Sequence, residues 1–224
     1  MAMNKSLEKI TILPIRTAVG SVIWLHGLGA DGHDFAGIIQ QLNLPQDLHL
    51  RFIFPHAPLR TITINAQMRM RAWYDIYSLE YLSHEDEIGI AHTQQSINKL
   101  IEQEIIAGIP AENIILAGFS QGGAIALYVG LRYSKLLKGI LALSTYLPLA
   151  DKLPKEANKA NQDVSIFMAH GNADLVLPFM RGYQTFQRLK HLNYSIEWHT
   201  YPMGHQVSLE EIKTIRKWLT NRFS

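Results

Sequence analysis

A serine flanked by glycines stands near the middle of the chain, in the segment Gly118-Phe-Ser-Gln-Gly-Gly123. The apolar run Ile114-Ile-Leu-Ala precedes it, and a second apolar run, Ala124-Ile-Ala-Leu, follows it. A strand, then Gly-x-Ser-x-Gly, then a helix is typical of a sharp turn that presents a nucleophilic serine at the edge of a sheet. Serine is also a common helix cap, although a cap does not require flanking glycines. The motif alone leaves both interpretations of Ser120 open.

A nucleophilic serine needs an imidazole to accept its proton and a carboxylate to orient that imidazole. On a strand–turn–helix scaffold the acid and then the base follow the serine. Asp174 follows the strand-like run Val164-Ser-Ile-Phe-Met-Ala-His170, where catalytic groups collect in parallel sheets. His205 lies in the loop Pro202-Met-Gly-His205, ahead of the last helix. We assign them as acid and base; a turn aspartate and an exposed loop histidine are the alternatives.

A glycine-rich turn, His26-Gly-Leu-Gly-Ala-Asp-Gly32, follows the apolar run Ser21-Val-Ile-Trp-Leu25. In hydrolases with a serine turn of this kind, such a loop supplies one backbone N–H to the oxyanion formed during attack. The residue after the nucleophile supplies the other. We assign these two donors to the backbone of Leu28 and Gln121.

The same turn has a second interpretation, because its glycines also fit the pattern G-x-G-x-x-G of dinucleotide-binding proteins. That pattern is weak by itself. An acidic residue about twenty positions later should bind the ribose, and Asp47 is near that distance but precedes the next strand. This alternative gives no role to the serine, the aspartate and the histidine, and the turn alone does not exclude it.

Short apolar runs alternate with helical patterns along most of the chain. This alternation predicts an α/β fold with a mostly parallel sheet and helices on both faces. The segment 56–83 departs from the alternation, since it is long and mixed in polarity, which is typical of a functional loop. The predicted strands begin near residues 21, 50, 113, 138, 164 and 195, and the predicted helices cover 34–42, 85–107, 121–133, 179–191 and 209–223.

Composition narrows the functional classes. A chain of 224 residues with 47% hydrophobic content suits a single domain over residues 1–224. Its 21 basic and 19 acidic side chains nearly balance, which argues against a nucleic-acid partner. Cysteine is absent, which excludes thiol nucleophiles and thiolate metal sites, and we expect neither metal nor cofactor. No segment approaches the ~20 apolar residues of a membrane span, so we expect a cytoplasmic protein without integral membrane contact.

Taken together, the motifs resemble the acyl-protein thioesterase/lysophospholipase branch of the α/β-hydrolases. The resemblance extends over nearly the whole chain and implies an α/β-hydrolase fold. It also implies that Ser120, Asp174 and His205 are nucleophile, acid and base. Leu28 and Gln121 would form the oxyanion hole. The motifs that carry the resemblance, in the family's order and spacing, are HGLGADGHDF, FIFPHAP, MRAWYDI, GFSQGG, LALSTYLP, HGNADLVLP and YPMGH.

The resemblance further implies an acyl-binding groove. The segment that contains Trp73 would cover it, and Leu147 and Leu177 would line it, with ordinary packing as the alternative for each leucine. Two positions depart from the family pattern. Thr145 stands where many relatives have a small or sulfur-containing residue, and Leu175 stands where many have proline. Both departures are expected to alter the shape of the groove.

These residues predict a serine esterase that cleaves carboxylic esters or thioesters through an acyl-enzyme on Ser120. By the resemblance, its substrate is an acyl ester or thioester, such as a lipid or an acylated protein. The alternatives are a non-catalytic binding protein with the same fold and a related hydrolase specific for peptides or lactones. An exposed apolar cover over the groove would support a homodimer.

Overall fold

A mostly parallel sheet lies at the centre of the structure, a computed structural model that describes residues 7–78 and 85–224. The strands are β1 (Lys9–Ile12), β2 (Gly20–Leu25), β3 (Leu50–Pro55), β4 (Leu59–Ile62), β5 (Met68–Arg71), β6 (Ile114–Phe119), β7 (Gly139–Leu143), β8 (Ile166–Gly171) and β9 (Ile196–Tyr201). Within the described residues, seven strands form one sheet in the order β1-β3-β2-β6-β7-β8-β9. Neighbouring strands are parallel, except that β1 pairs antiparallel with β3.

Helices cover both faces of this sheet. They are α1 (His33–Ala36), α2 (Ile38–Leu42), α3 (Glu87–Ile106), α4 (Gln121–Gly130), α5 (Leu153–Glu156), α6 (Phe179–His191) and α7 (Leu209–Phe223). The helix predicted over 34–42 is divided at Gly37 into α1 and α2. The predicted helix 121–133 ends at Gly130.

The burial of the central strands β2, β6, β7 and β8 explains why their sequences are almost continuously apolar. Successive side chains of a strand point to opposite faces of the sheet. In β2, Val22 and Trp24 belong to the hydrophobic core that contains residues of α2 and α7. Ile23 and Leu25 belong to the core on the other face, with residues of α3 and α4. A sheet buried on both faces requires apolar residues at every position. The predicted α/β class, with a mostly parallel sheet and helices on both faces, is confirmed.

Strand β1, the hairpin of β4 and β5, and the short helix α5 were not predicted from the sequence. Strand β1 lies at the sheet edge, where its residues alternate between exposed and half-buried, so it lacks an apolar run. The hairpin of β4 and β5 lies within the segment 56–83. Near its turn, Ala66 and Gln67 have φ of 51° and 61° without the glycine that usually marks such a conformation. Residues 79–84 of that segment lie outside the described residues.

Candidate active site

Ser120 lies at the turn between β6 and α4, with φ 53° and ψ −120°. Non-glycine residues rarely adopt a positive φ, so the turn holds this serine in a strained conformation. Its backbone N–H donates to the Leu143 carbonyl at 2.9 Å. A Cβ atom on Gly118 or on Gly122 would overlap backbone atoms that pack against the turn. The two glycines of the motif therefore answer a steric requirement of this turn.

The Ser120 side chain makes no capping hydrogen bond to α4. Its Oγ lies 2.9 Å from His205 Nε2, and His205 Nδ1 lies 2.7 Å from Asp174 Oδ2. Because a carboxylate only accepts hydrogen bonds, Nδ1 carries the proton of the neutral imidazole. Nε2 then accepts from the serine hydroxyl. The three side chains thus form one continuous set of hydrogen bonds, directed so that a proton can pass from serine to histidine.

The sheet brings the aspartate and the histidine together. Asp174 lies in the turn that leaves β8, and His205 lies in the loop between β9 and α7. Strands β8 and β9 are parallel neighbours, so the segments that follow them emerge at the same edge. A hydrogen bond from the Ala173 N–H to the Met203 carbonyl, at 3.1 Å, ties these segments to each other.

Asp174 is held by its own turn. Its side chain has no exposed surface, and Oδ1 accepts the backbone N–H groups of Val176 and Leu177 at 2.9 and 2.8 Å. His170 Nε2 lies 3.4 Å from Oδ2 and donates to the Leu177 carbonyl at 2.9 Å. Burial lowers the pKa of His170. The donors around the carboxylate fix its orientation toward His205.

The two backbone donors assigned from the sequence both border the cavity that contains Ser120. In the described part of the chain, neither the Leu28 nor the Gln121 N–H has a hydrogen-bond acceptor. The loop that carries Leu28 is fixed by the Gly29 N–H, which donates to the Arg71 carbonyl at 2.9 Å. Both N–H groups are therefore available to an oxygen atom of a bound molecule.

His26 orders the start of that loop. Its Nε2 accepts the Ala57 N–H at 3.0 Å, so the ring proton is on Nδ1, which donates to the Gly27 carbonyl at 2.7 Å. Burial lowers the pKa of His26 to about 4. The ring is consequently neutral near neutral pH, and it links the loop to the residues that follow β3.

Trp73 connects the two assigned donors. Its indole Nε1–H donates to the His26 carbonyl at 2.8 Å, and its backbone N–H donates to Gln121 Oε1 at 2.8 Å. The Gln121 side-chain amide in turn donates to the Tyr74 carbonyl at 2.7 Å. The Trp73 carbonyl accepts a hydrogen bond from the Thr93 hydroxyl. One buried residue thus bonds to both the Leu28 loop and the residue after the serine.

A cavity of about 400 Å³ opens beside Ser120. Of the three side chains expected at the acyl groove, Leu177 lines this cavity. Trp73 is fully buried behind the wall, and Leu147 borders a separate cleft of about 270 Å³. The cavity is lined by Gly27, Leu28, Ala30, Asp34, Ile64, Asn65, Tyr74, Ile76, Phe119, Ser120, Gln121, Tyr146, Val176, Leu177 and His205.

Sequence reasoning missed Tyr74 and Tyr146 in this wall, although both stand in motifs that carried the resemblance, MRAWYDI and LALSTYLP. The two departures from the family pattern do not line it. The Thr145 hydroxyl instead donates to the Ser120 carbonyl at 2.7 Å, which supports the turn. The Leu175 side chain is 94% exposed. Neither Thr145 nor Leu175 therefore shapes the groove by direct contact with it.

Three possible metal ligands lie on and beside the glycine-rich loop. One ligand atom each from Asp31, His33 and His56 lies within 4.8 Å of the other two. The His33 Nδ1 and the Asp31 carboxylate already pair at 3.0 Å, and His56 Nδ1 accepts the Gly32 N–H at 3.0 Å. Internal contacts thus use one atom of each candidate ligand, and none of the three lines the cavity that contains Ser120.

No helix within residues 7–78 and 85–224 combines the length and the hydropathy that a membrane crossing demands.

The chain matches the protein family described as phospholipase/carboxylesterase over residues 8–222. It is 43% identical over 211 residues to acyl-protein thioesterase 1 of Neurospora crassa, covering 90% of this chain and 86% of the relative. It is 38% identical over 215 residues to acyl-protein thioesterase 1 of Yarrowia lipolytica, covering 92% and 94%. The crystal structure of Zea mays acyl-protein thioesterase 2 is similar with a TM-score of 0.86 at 26% identity, over 97% of this chain and 99% of that chain.

Proposed function

The chain belongs to the phospholipase/carboxylesterase family, and we propose that it is a serine hydrolase that cleaves carboxylic esters and thioesters through an acyl-enzyme on Ser120. The observation that carries this proposal is the continuous hydrogen bonding from Ser120 Oγ through His205 to Asp174, at 2.9 and 2.7 Å. A hydroxyl, a base in contact with it and an acid that orients the base are the groups that acyl transfer requires.

In the acylation step, His205 Nε2 accepts the Ser120 proton while Oγ forms a bond to the carbonyl carbon of the substrate. The carbonyl oxygen becomes an oxyanion, which the N–H groups of Leu28 and Gln121 stabilise. Collapse of this intermediate breaks the C–O or C–S bond. His205 returns its proton to the departing alcohol or thiol, and the acyl group remains on Ser120.

In the deacylation step, His205 removes a proton from water, and the hydroxide oxygen attacks the acyl carbon of the ester on Ser120. The same two N–H groups stabilise the second oxyanion. Cleavage of the bond to Oγ releases the carboxylic acid, and His205 protonates Oγ. The carboxylate of Asp174 stabilises the imidazolium that forms in each step.

The lining of the cavity supports the proposal of an acylated substrate. Ile64, Ile76 and Leu177 give its wall an apolar surface beside the reactive hydroxyl, and apolar walls bind hydrocarbon chains by removing them from water. The two fungal relatives are named acyl-protein thioesterases. For this chain we propose the same substrate class, a thioester or ester of an acyl chain on a protein or lipid.

Ser120 labelling and turnover test the proposal together. A fluorophosphonate should attach to Ser120, located by peptide mass spectrometry, and the chain should hydrolyse 4-nitrophenyl octanoate and an octanoyl thioester. Ser120→Ala should lower kcat by about 10⁴-fold or more. Ser96→Ala, which removes an exposed hydroxyl from α3, is the matched control and should retain turnover.

Other results would point to the alternatives. A probe that labels another residue, or a Ser120→Ala variant with full turnover, would refute the proposed nucleophile. Tight ligand binding without release of acid or alcohol would favour a non-catalytic binding protein. Faster cleavage of amides or lactones than of esters would favour a hydrolase of peptides or lactones.

The partner that we propose for the apolar surface beside the cavity is a second copy of the chain. Leu175 and Val176 are 94% and 57% exposed next to the cavity wall, and exposed apolar groups favour association. Sedimentation velocity over a range of concentrations should show a dimer that Leu175→Glu weakens. A monomer at every concentration would exclude this partner.

A further inference from the structure

Two tyrosine hydroxyls meet in the wall of the cavity that contains Ser120. Tyr74 Oη and Tyr146 Oη lie 2.9 Å apart, and both residues line the cavity. Tyr74 is 1% exposed and Tyr146 is 9% exposed. The pair thus places two hydroxyl groups on side chains that line a mostly apolar cavity, the same cavity that contains Ser120.

This pair has one more proton than its hydrogen bond uses. Each phenol carries one O–H donor, and a single bond between the two oxygens employs only one of them. Both phenols are protonated, since burial raises the pKa of Tyr146 to about 12 and that of Tyr74 well above its ordinary value. Among the described residues, neither hydroxyl has another hydrogen-bond partner. One O–H is therefore left to bond with the contents of the cavity.

The charge near the pair restricts what it would accept. The electrostatic interaction of Glu85 raises the pKa of both tyrosines, whereas that of Arg181 lowers the pKa of Tyr146. Burial raises the pKa of Glu85 itself to about 7, and one of its oxygens accepts the Leu149 N–H at 2.8 Å. A carboxylate that ionises near neutral pH repels a second anion. Because this carboxylate and the Arg181 guanidinium act in opposite senses, the surroundings of the pair do not favour an anion, and the acceptor that suits the spare O–H is a neutral oxygen.

We propose that the cavity prefers acyl groups that carry a neutral oxygen, such as a keto or hydroxyl oxygen, at the level of Tyr74 and Tyr146. This specificity rests on the proposed acyl-enzyme function. Water satisfies the spare O–H when the cavity is wet, and an alkyl chain displaces that water without replacing its hydrogen bond, which costs affinity. A chain with a correctly placed oxygen replaces the lost bond.

The test uses esters of one acyl-chain length that differ only in the position of a keto group. The 4-nitrophenyl ester of octanoic acid is compared with esters in which a keto group occupies one carbon after another toward the distal end of the chain. At least one position should raise kcat/KM about tenfold over the unsubstituted ester, as expected for a buried donor that regains its acceptor. Equal kcat/KM at all positions would overturn the proposal.

Phenylalanine variants assign the preference to the tyrosines. Tyr74→Phe and Tyr146→Phe each leave one O–H, so each single variant should retain a keto preference. The double variant removes both protons, so its keto preference should disappear and its turnover of the plain octanoyl ester should rise. Thermal unfolding checks that each variant is folded. A keto preference that persists in the folded double variant would refute the assignment.

Failure of this inference is distinguishable from failure of the proposed function. A chain that hydrolyses the plain octanoyl ester in a Ser120-dependent manner, but shows no keto preference, contradicts the specificity alone. A chain whose ester hydrolysis does not depend on Ser120 contradicts the proposed function.

Discussion

The groups on the two sides of Ser120 are held in place in different ways. The proposed acid and base lie on one side, and the proposed oxyanion donors lie on the other. On the side of the histidine and the acid, the contacts that orient the carboxylate of Asp174 are local, since N–H groups two and three positions later donate to it. On the side of the backbone donors, the contacts are distant in sequence. Trp73 reaches residues 47 and 48 positions away, His26 and Gln121.

The two sides therefore depend on different parts of the fold. The proposed triad follows from the order of the strands, because neighbouring parallel strands deliver Asp174 and His205 to one edge of the sheet. The proposed oxyanion hole depends on how the segment after β5 folds back. Changes on the first side should remove chemistry and leave the fold intact, whereas changes on the second side should alter the position of the donors and the stability together.

Among the tests of this comparison, Asp174→Asn has the largest expected effect, and it addresses the first half. An amide can keep an oxygen toward the turn and then presents its NH₂ to His205, which stabilises the wrong imidazole tautomer. We expect kcat for 4-nitrophenyl octanoate to fall about 10⁴-fold, as such a substitution does in a serine protease. The free energy of unfolding, measured in urea, should change far less. A fall of less than tenfold would remove Asp174 from the proposed triad.

Trp73→Phe tests the second half of the comparison, namely the dependence of the proposed oxyanion donors on the segment after β5. Loss of the indole N–H leaves the His26 carbonyl without this donor and loosens the Leu28 loop. We expect kcat to fall by between about 10- and 100-fold, less than for complete loss of an oxyanion donor, with KM changed little. Stopped-flow measurement of acylation identifies the affected step.

Trp24→Phe is the matched control for that substitution. Trp24 is also fully buried, but within the described residues its indole nitrogen has no hydrogen-bond partner and the residue lies in the other core. The control should lose stability through the smaller ring while retaining kcat. Equal loss of kcat in both variants would show that Trp73 acts through packing alone.

The pH dependence of stability probes His26. Its pKa is about 4 in the folded chain against an ordinary value of 6.5, so between these values the unfolded chain binds a proton that the native chain does not. The stabilisation is complete above about pH 6.5 and is lost as the pH falls toward about 4, by up to about 1.4 kcal/mol per pH unit.

His26→Gln should remove this component of the slope, measured as the free energy of urea unfolding at a series of pH values. His191→Gln, at the exposed end of α6, is the control and should retain it. An unchanged slope in the His26 variant would show that the ring does not contribute to the pH dependence in this range.

The smallest expected effect comes from Thr145→Val. The hydroxyl donates to the Ser120 carbonyl, which also accepts the Ala124 N–H at 3.0 Å. Because that carbonyl keeps a partner, the substitution should cost only about 1 kcal/mol of unfolding free energy. Thr145→Ser preserves the donor and should cost less. A greater loss in the serine variant would assign the contribution to the methyl group.

The sequence predicts the parts of the molecule that follow from regular elements. Continuous apolar runs indicate strands buried on both faces, and Ser120, Asp174 and His205 follow, in the expected order, the ends of β6, β8 and β9. The structure adds that these three side chains lie in hydrogen-bond contact. Their catalytic roles, like those of Leu28 and Gln121, are predictions for the variants described above to test.

The sequence does not predict features whose partners are distant backbone atoms. The bond from the Trp73 indole to the His26 carbonyl depends on the course of the whole hairpin segment, which carries no periodic pattern. The position of Leu147 likewise depends on the direction in which the chain leaves β7, so proximity to a strand end did not place it in the cavity. The hydrogen bond between Tyr74 and Tyr146 joins these two segments, the hairpin segment and the chain that leaves β7, so the sequence does not predict it either.

The strained backbone of Ser120 has a consequence for selection on the sequence. Glycine is the residue that tolerates such φ and ψ values at little cost, so folding alone would favour glycine at position 120. Glycine carries no hydroxyl, and the resulting chain would be expected to fold more stably and hydrolyse nothing. At this position stability and the proposed activity favour different amino acids.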